Sequence, residues 1–466
     1  MLLIKHIAFT LFLFSCSEQD KISPTTEDEP LDPGQNITYK DYSLDSLTGE
    51  VLETQIEIED FSSASTCEEC HPQHYSEWSS SFHARSFSGP IFMEMWSGEK
   101  NHHPQTGTMF CVQCHAPAAF VTGYPLDGIE SVSDLENSDI PEIIKEGVSC
   151  DICHSMVDKS PSIFTQDHPV AVAQYYLNPD KSVKYGSMQN SECNTDPILG
   201  HTDCVFLPIF NSSSSCKPCH DQFIREMPIE TTFSEWNNHP GLSMGGDSCQ
   251  DCHMPKNGNH SSHYFPGVDV LFYNEITDST HYHQVVDLLK TAVVVSFEYY
   301  DGLENVPYID DGTMYLPIKI KNETGHNLPS GTTFFREAWL EVLVQTVSGD
   351  TVYQKGVLHS DSQLLDYDDH DLMLYTSTLY SEEELQGEII YEASRARSFD
   401  DRTLRTLFYD TKVYEIDISD FNEDFVISAR MLFRPFKPQM LEHFHASLVS
   451  AIPIIEMYSS SIILEN

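Results

Sequence analysis

The sequence predicts an α+β protein in two parts. A loop-rich, mainly short-helical domain rich in cysteine and histidine spans residues 61–290, and an antiparallel β-sandwich spans 291–466. Three observations carry that reading. Five Cys-x-x-Cys-His segments fall between Cys67 and His253, and no cysteine follows Cys252. The gaps between successive first cysteines are 44, 39, 66 and 33 residues, too uneven for a stacked repeat. Beyond Thr291, runs of β-branched and aromatic residues take over.

The five segments are Cys67, Cys70, His71; Cys111, Cys114, His115; Cys150, Cys153, His154; Cys216, Cys219, His220; and Cys249, Cys252, His253. This is the attachment pattern of c-type haem, with two thiols for the porphyrin vinyl groups and the next residue, His, for the iron. Composition alone would place His after a given Cys-x-x-Cys roughly one time in twenty, so five in succession is about one chance in four million. Zinc knuckles use paired Cys-x-x-Cys without needing His next, and a thioredoxin-like site would not recur five times. The expected cofactors are therefore five covalently attached c-type haems.

Three of the 13 cysteines remain. Cys16 ends a short export signal in which Lys5 is the positive end and Ile7 to Phe14 form an apolar core too short to span a bilayer. Leu13-Phe14-Ser15-Cys16 has the form of a lipoprotein cleavage box, with residues 1–15 removed and Cys16 lipidated. An ordinary secretory signal is the alternative. Residues 16–60 then read as a polar tether, most clearly as far as Tyr39. Haem attachment outside the bacterial cytoplasm agrees with export, facing the periplasm or the outer surface of the outer membrane. In that oxidising setting Cys193 and Cys204, eleven residues apart, read most simply as a disulfide, with two free thiols as the alternative.

About 190 residues must wrap five macrocycles, so the haems themselves are expected to supply much of the buried apolar surface. The β part shows its strands directly: Val293 to Phe297, Tyr315 to Ile320, Trp339 to Val344 and Phe425 to Phe433. Ser348-Gly349-Asp350 marks a hairpin turn.

Charge narrows the partners. Lys plus Arg number 25 against 72 Asp plus Glu, a net −47. That balance argues against nucleic acid and anionic lipid surfaces, and suits a redox partner with a cationic surface or another cytochrome. A solvated acidic surface that keeps an exported protein soluble accounts for it equally well. Membrane attachment rests on Cys16 alone.

Further motifs accompany the haem segments. They include Trp78-Ser79-Ser80-Ser81-Phe82-His83-Ala84, Gly147-Val148-Ser149, Met254-Pro255 and His263-Tyr264-Phe265-Pro266-Gly267. Asn322 to Gly331, reading NETGHNLPSG, and Arg336-Glu337-Ala338-Trp339-Leu340 follow. Together the chain resembles the multihaem cytochromes of the cytochrome c-554 type (c-552/c-554-like), in the branch with a C-terminal β domain. The resemblance covers about residues 61–345 and, less specifically, Phe433-Arg434-Pro435-Phe436. It implies His83, His263 and His326 as distal iron ligands, and His201 by a looser fit. None of the five motifs ends in Lys, a familiar mark of nitrite-reducing pentahaem enzymes. For the fifth iron His102, His103, His168, His239 and His260 are candidates that spacing does not separate, with Met93, Met95, Met188 and Met254 behind them.

Two functions follow as expectations. One is an electron carrier with closely packed, mostly bis-His haems. The other is an oxidoreductase in which one haem keeps an open face for a small nitrogen or sulfur compound. A lesser reading makes the β domain an assembly or adhesion module.

Overall fold

The computed structural model describes residues 39–44, 51–102, 107–158, 173, 175–188, 201, 203–224, 227–270, 279–298, 306–359 and 363–466, with backbone alone at 100–102 and 107–109. The expected signal, Cys16, the tether before residue 39, Cys193, His103, His168 and the side chain of His102 lie outside these residues. Among the described residues no helix is long and apolar enough to cross a membrane.

Short helices carry the first part. They include Ser65–Glu68, Pro72–Ser80, Pro90–His102, Gly107–His115, Pro117–Thr122, Cys150–Cys153 and Cys249–His253. Proline follows three of the haem motifs closely, at Pro72, Pro117 and Pro255, and the first two each start a new helix where the missing N–H costs nothing. An apolar cluster that includes Phe87, Trp96, Phe120, Ile144 and Ile152 packs these helices. The polypeptide thus builds a conventional core on this flank, more than the haem count suggests, because Pro90–Thr122 supplies contiguous apolar helix faces.

The end of the expected tether is also folded. Tyr42–Leu44 pairs antiparallel with Val51–Thr54. Thr54 Oγ1 donates to the Val121 carbonyl at 2.9 Å, and Ile56 is 1% exposed in the same cluster. The apolar residues Ile56 and Phe61 draw this segment onto the helices.

The long gap between the third and fourth motifs forms paired strands. Val183–Gly186 runs parallel to Asp203–Phe206. Cys204, on the second strand, is disulfide-bonded.

From Val293 the described residues form a three-stranded antiparallel sheet of Ile389–Ile390, Ser377–Tyr380 and Ser398–Asp401, and two larger antiparallel sheets. In one, Thr313–Asn322 pairs with Val293–Ser296, Tyr308–Asp310 and Tyr409–Asp417. In the other, the order is Thr351–Lys355, Glu337–Thr346, Phe425–Arg434, Ile455–Leu464, with Leu374–Tyr375 beside Glu337–Thr346. All four strands read from sequence are present, and the Ser348-Gly349-Asp350 turn joins Glu337–Thr346 to Thr351–Lys355. Val293–Ser296 packs on Phe425–Arg434 and Ile455–Leu464, closing a sandwich over Leu316, Ile318, Val342, Ile427 and Met431.

One ion pair sits inside this sheet. Glu337 and Arg434 are register partners, each 1% exposed at the side chain, with Nη2 2.5 Å and Nε 2.7 Å from Oε2. Tyr367 donates to Glu337 Oε1 at 2.8 Å, and the guanidinium lies 5.3 Å over the Trp339 ring. Truncating one partner leaves the other charged and buried. Arg434→Met is expected to cost about 3–5 kcal/mol, read as a lowered denaturation midpoint of the holoprotein, while Arg434→Met with Glu337→Met recovers most of that loss.

Candidate haem-binding cavity

Each Cys-x-x-Cys-His segment is one helical turn. The His amide donates to the first Cys carbonyl at 2.8 Å in the first motif, 2.9 Å in the third and 3.1 Å in the fourth. Positions i, i+3 and i+4 share a face, so both thiols and the imidazole point the same way. The fifth turn is started by a capping box in which Ser248 and Asp251 bond reciprocally. All ten motif cysteines and all five motif histidines line one cavity of about 2080 Å³. That is well beyond the roughly 300–1,000 Å³ that holds a single small ligand. The donor set, size and apolar lining fit covalently bound haem.

Thiols of different motifs meet in this cavity. Cys67 hydrogen-bonds Cys150, Cys114 bonds Cys219, and Cys216 bonds Cys249. Cys153 lies within electrostatic reach of both Cys216 and Cys219. The contacts run from the first motif to the third, from the third to the fourth, and from the fourth to both the second and the fifth. Cys70 and Cys252, in the first and fifth motifs, are solvent-exposed.

The histidines share a device. Nδ1 of His115 contacts the Ser86 carbonyl at 2.7 Å, His154 that of Tyr185 at 2.7 Å, and His253 that of Pro266 at 2.6 Å. His263 does the same to Ser261 at 2.8 Å, His326 to Asn327 at 2.9 Å and His201 to Asp203 at 3.1 Å. A carbonyl only accepts, so Nδ1 carries the proton and Nε2 keeps its lone pair for a metal. His220 instead meets Glu230 Oε1 at 3.4 Å; burial lowers its pKa, but the carboxylate overrides this and lifts it to about 9. Burial pushes His83 down to about 3, and His253 and His263 to about 4, holding them in the neutral form that ligates.

The imidazoles also pair. His253 and His326 ring centres are 6.3 Å apart, and those of His83 and His220 are 6.4 Å apart. Metal–nitrogen bonds of about 2 Å on both sides of one ion put ring centres about 6 Å apart. His263 is depressed by burial first and then by His154, and His71 by burial and then His201. His326 and His83 thus sit opposite the motif histidines His253 and His220, while His263 and His201 act electrostatically on His154 and His71. His115 has no such match among the described residues. Phe92 stacks on its ring at 4.0 Å and 13°, and the imidazole acting on it is the motif residue His220.

The remaining candidates separate. His260 spends Nε2 on Glu77, at 2.9 and 3.0 Å, and His239 lines a different, smaller pocket. Met93 is packed in the helical core, whereas Met95, Met188 and Met254 line the cavity. Sequence reasoning missed His74, 4.7 Å from His263 and 5.9 Å from His71 between ring centres, and the cavity-lining His281. Neither lies at a motif spacing, so burial was the missing signal.

Loops fix the distal residues. Gly147 has φ +67°, and a Cβ there would lie 2.9 Å from the His83 carbonyl. Val148 N–H donates to that carbonyl at 3.0 Å, and Trp78 Nε1 to the Val148 carbonyl at 2.9 Å. In the second part, Asn322 Nδ2 donates to the His326, Leu404 and Arg405 carbonyls at 2.8, 3.0 and 3.1 Å. Glu235, from the helical part, accepts from Asn327 N–H at 3.0 Å and Ser330 Oγ at 2.6 Å. Asn322→Ala is expected to free the loop and convert part of the low-spin ferric signal to high spin. His326→Ala should convert the same fraction completely, as measured by electron paramagnetic resonance at matched haem content. An unchanged spectrum in both removes His326 from the ligand set.

The comparisons agree with this cavity. Residues 66–155 match the family model described as cytochrome c554 and c-prime. The fold is similar to that of a penta-haem cytochrome c552 from Thermochromatium tepidum, with a TM-score of 0.64 and 17% sequence identity, over 87% of this chain and 99% of that one. No curated protein matches the sequence. The attachment motifs and the cavity they line agree with that family match over residues 66–155.

Proposed function

We propose that the chain holds five covalent haems, one per motif, and conducts electrons among exported redox partners. The observation carrying this reading is the set of hydrogen bonds and electrostatic interactions between attachment thiols, which links all five motifs, with the first and fifth at the surface. When bound, haem iron supplies a reversible one-electron couple. The chain's part is to aim the imidazoles, to hold His83, His253 and His263 neutral, and to exclude water. His71, His115, His154, His220 and His253 are the proximal residues. His201, His263, His83 and His326 are the distal partners of the first, third, fourth and fifth sites.

A second reading rests on His115. With no imidazole opposite it among the described residues, the second site is the place for an open-faced haem acting on a small nitrogen or sulfur compound. Its cysteines sit away from the exposed ends of the array, which suits a catalytic side branch.

Export with a lipidated Cys16 agrees with covalent haem and with the Leu13-Phe14-Ser15-Cys16 box. Exposed Glu68 and Glu69 flank the first port, and exposed Asp247 and Asp251 the fifth, which suits a cationic redox protein.

Mass spectrometry should find about 3.1 kDa added by five haems of roughly 0.6 kDa each; unmodified motif cysteines would refute the assignment. The air-oxidised protein separates the two readings. Four low-spin haems and one high-spin haem that binds cyanide favour the open site, and five low-spin haems favour the carrier. Charge reversal at Glu68 and Glu69 to Lys is expected to slow reduction by a small cationic donor about three- to tenfold at low salt. Stopped-flow rates should converge with wild type as salt screens the port.

A further inference from the structure

Among the described residues, three side-chain nitrogens in the cavity wall have no hydrogen-bond partner: Nε of Arg336, whose Nη atoms bond Asp269, Nε of Arg85, and Nε2 of His281, which is 2% exposed. His281 sits in the first turn of the Thr280–Leu289 helix, where Ser279 caps the end and Val285 and Leu289 bury the same face. Its ring centre is 5.8 Å from that of Phe82, the residue before His83. Arg85 lies two residues beyond His83, on the short 3-10 turn His83–Arg85. Arg85 acts electrostatically on His281, and both line the cavity. His281 acts there on His83, and Asp269 acts on both His281 and His115.

Unpaired donors this deep are costly, roughly 1–3 kcal/mol each when nothing accepts from them. The nearby charges do not resolve the demand. Asp269 is already held by Arg336, with Nη1 at 2.6 Å and Nη2 at 3.2 Å. Of the other cations lining the cavity, Lys184 is committed to Asp151 at 2.7 Å. With Nε2 of His281 protonated, a guanidinium and an imidazole N–H left unpaired in one cavity wall suit a planar oxyanion.

We propose that Arg85 and His281 form a carboxylate receptor inside the cavity, filled by a propionate of a haem at the second or fourth site. The proposal rests on the haem reading above. In this role both are positioning residues: they orient the macrocycle and offset its negative edge, which holds that haem's potential up. A free small oxyanion has the same chemistry and is the competing source.

The test is a spectroelectrochemical titration of the holoprotein, with haem content checked by mass. Arg85→Gln and His281→Gln should each move one redox step to lower potential and leave the other steps in place. The double variant should move it little beyond the larger single effect, and Arg85→Lys should restore most of it. Low-spin signals should persist in all. An unchanged titration overturns the receptor. A new high-spin signal in His281→Gln overturns it by making His281 an axial ligand. A shift that appears only with added nitrite or formate overturns the propionate source and assigns the pair to an external anion. Failure of the haem reading itself would show separately, as missing haem mass in the unsubstituted protein.

Discussion

The molecule depends on the bond from an imidazole Nδ1 to a backbone carbonyl. Six cavity histidines make it, at His115, His154, His201, His253, His263 and His326. Each bond sets the tautomer, restricts the ring and leaves Nε2 to the cavity. The loops that offer those carbonyls are in turn held by the rest of the fold. The strand Val183–Gly186 presents the Tyr185 carbonyl to His154, while its parallel neighbour Asp203–Phe206 presents that of Asp203 to His201. The long gap between the third and fourth motifs thereby serves two sites at once.

The β-sandwich takes part in the cavity through the same logic. Asn322 closes its loop by donating to three carbonyls, one of them of His326 itself. Glu235 and Arg336 tie the two parts together, through Ser330 on one side and Asp269 on the other. The buried Glu337–Arg434 pair sits one residue from Arg336, so sheet register and interdomain contact are set by neighbouring residues. Several of the motifs that marked the resemblance are therefore structural parts that position a few imidazoles.

The arrangement of thiols gives the electron-transfer reading its physical form. Sites at the two exposed ends meet through the third and fourth motifs, and the second hangs from the fourth. Exposed acidic side chains lie beside both ends.

The sequence by itself determined what is local and covalent. Five helical turns with two thiols and one imidazole on a face need only i, i+3, i+4 spacing, so ten cysteines and five histidines were legible from the chain. The strands around Val293, Leu316, Leu340 and Ile427 were legible because β-branched alternation is also local. Tertiary structure alone decided which motif neighbours which, since Cys67 meets Cys150 across 83 positions of sequence. It separated His260 from His263, three residues apart, because Glu77 takes Nε2 of one while a carbonyl takes Nδ1 of the other. It drew Ile56 from an expected tether into a core, and it brought Arg85 and His281 together. Burial and long-range contact made each of these choices, and neither leaves a periodic trace in a single sequence.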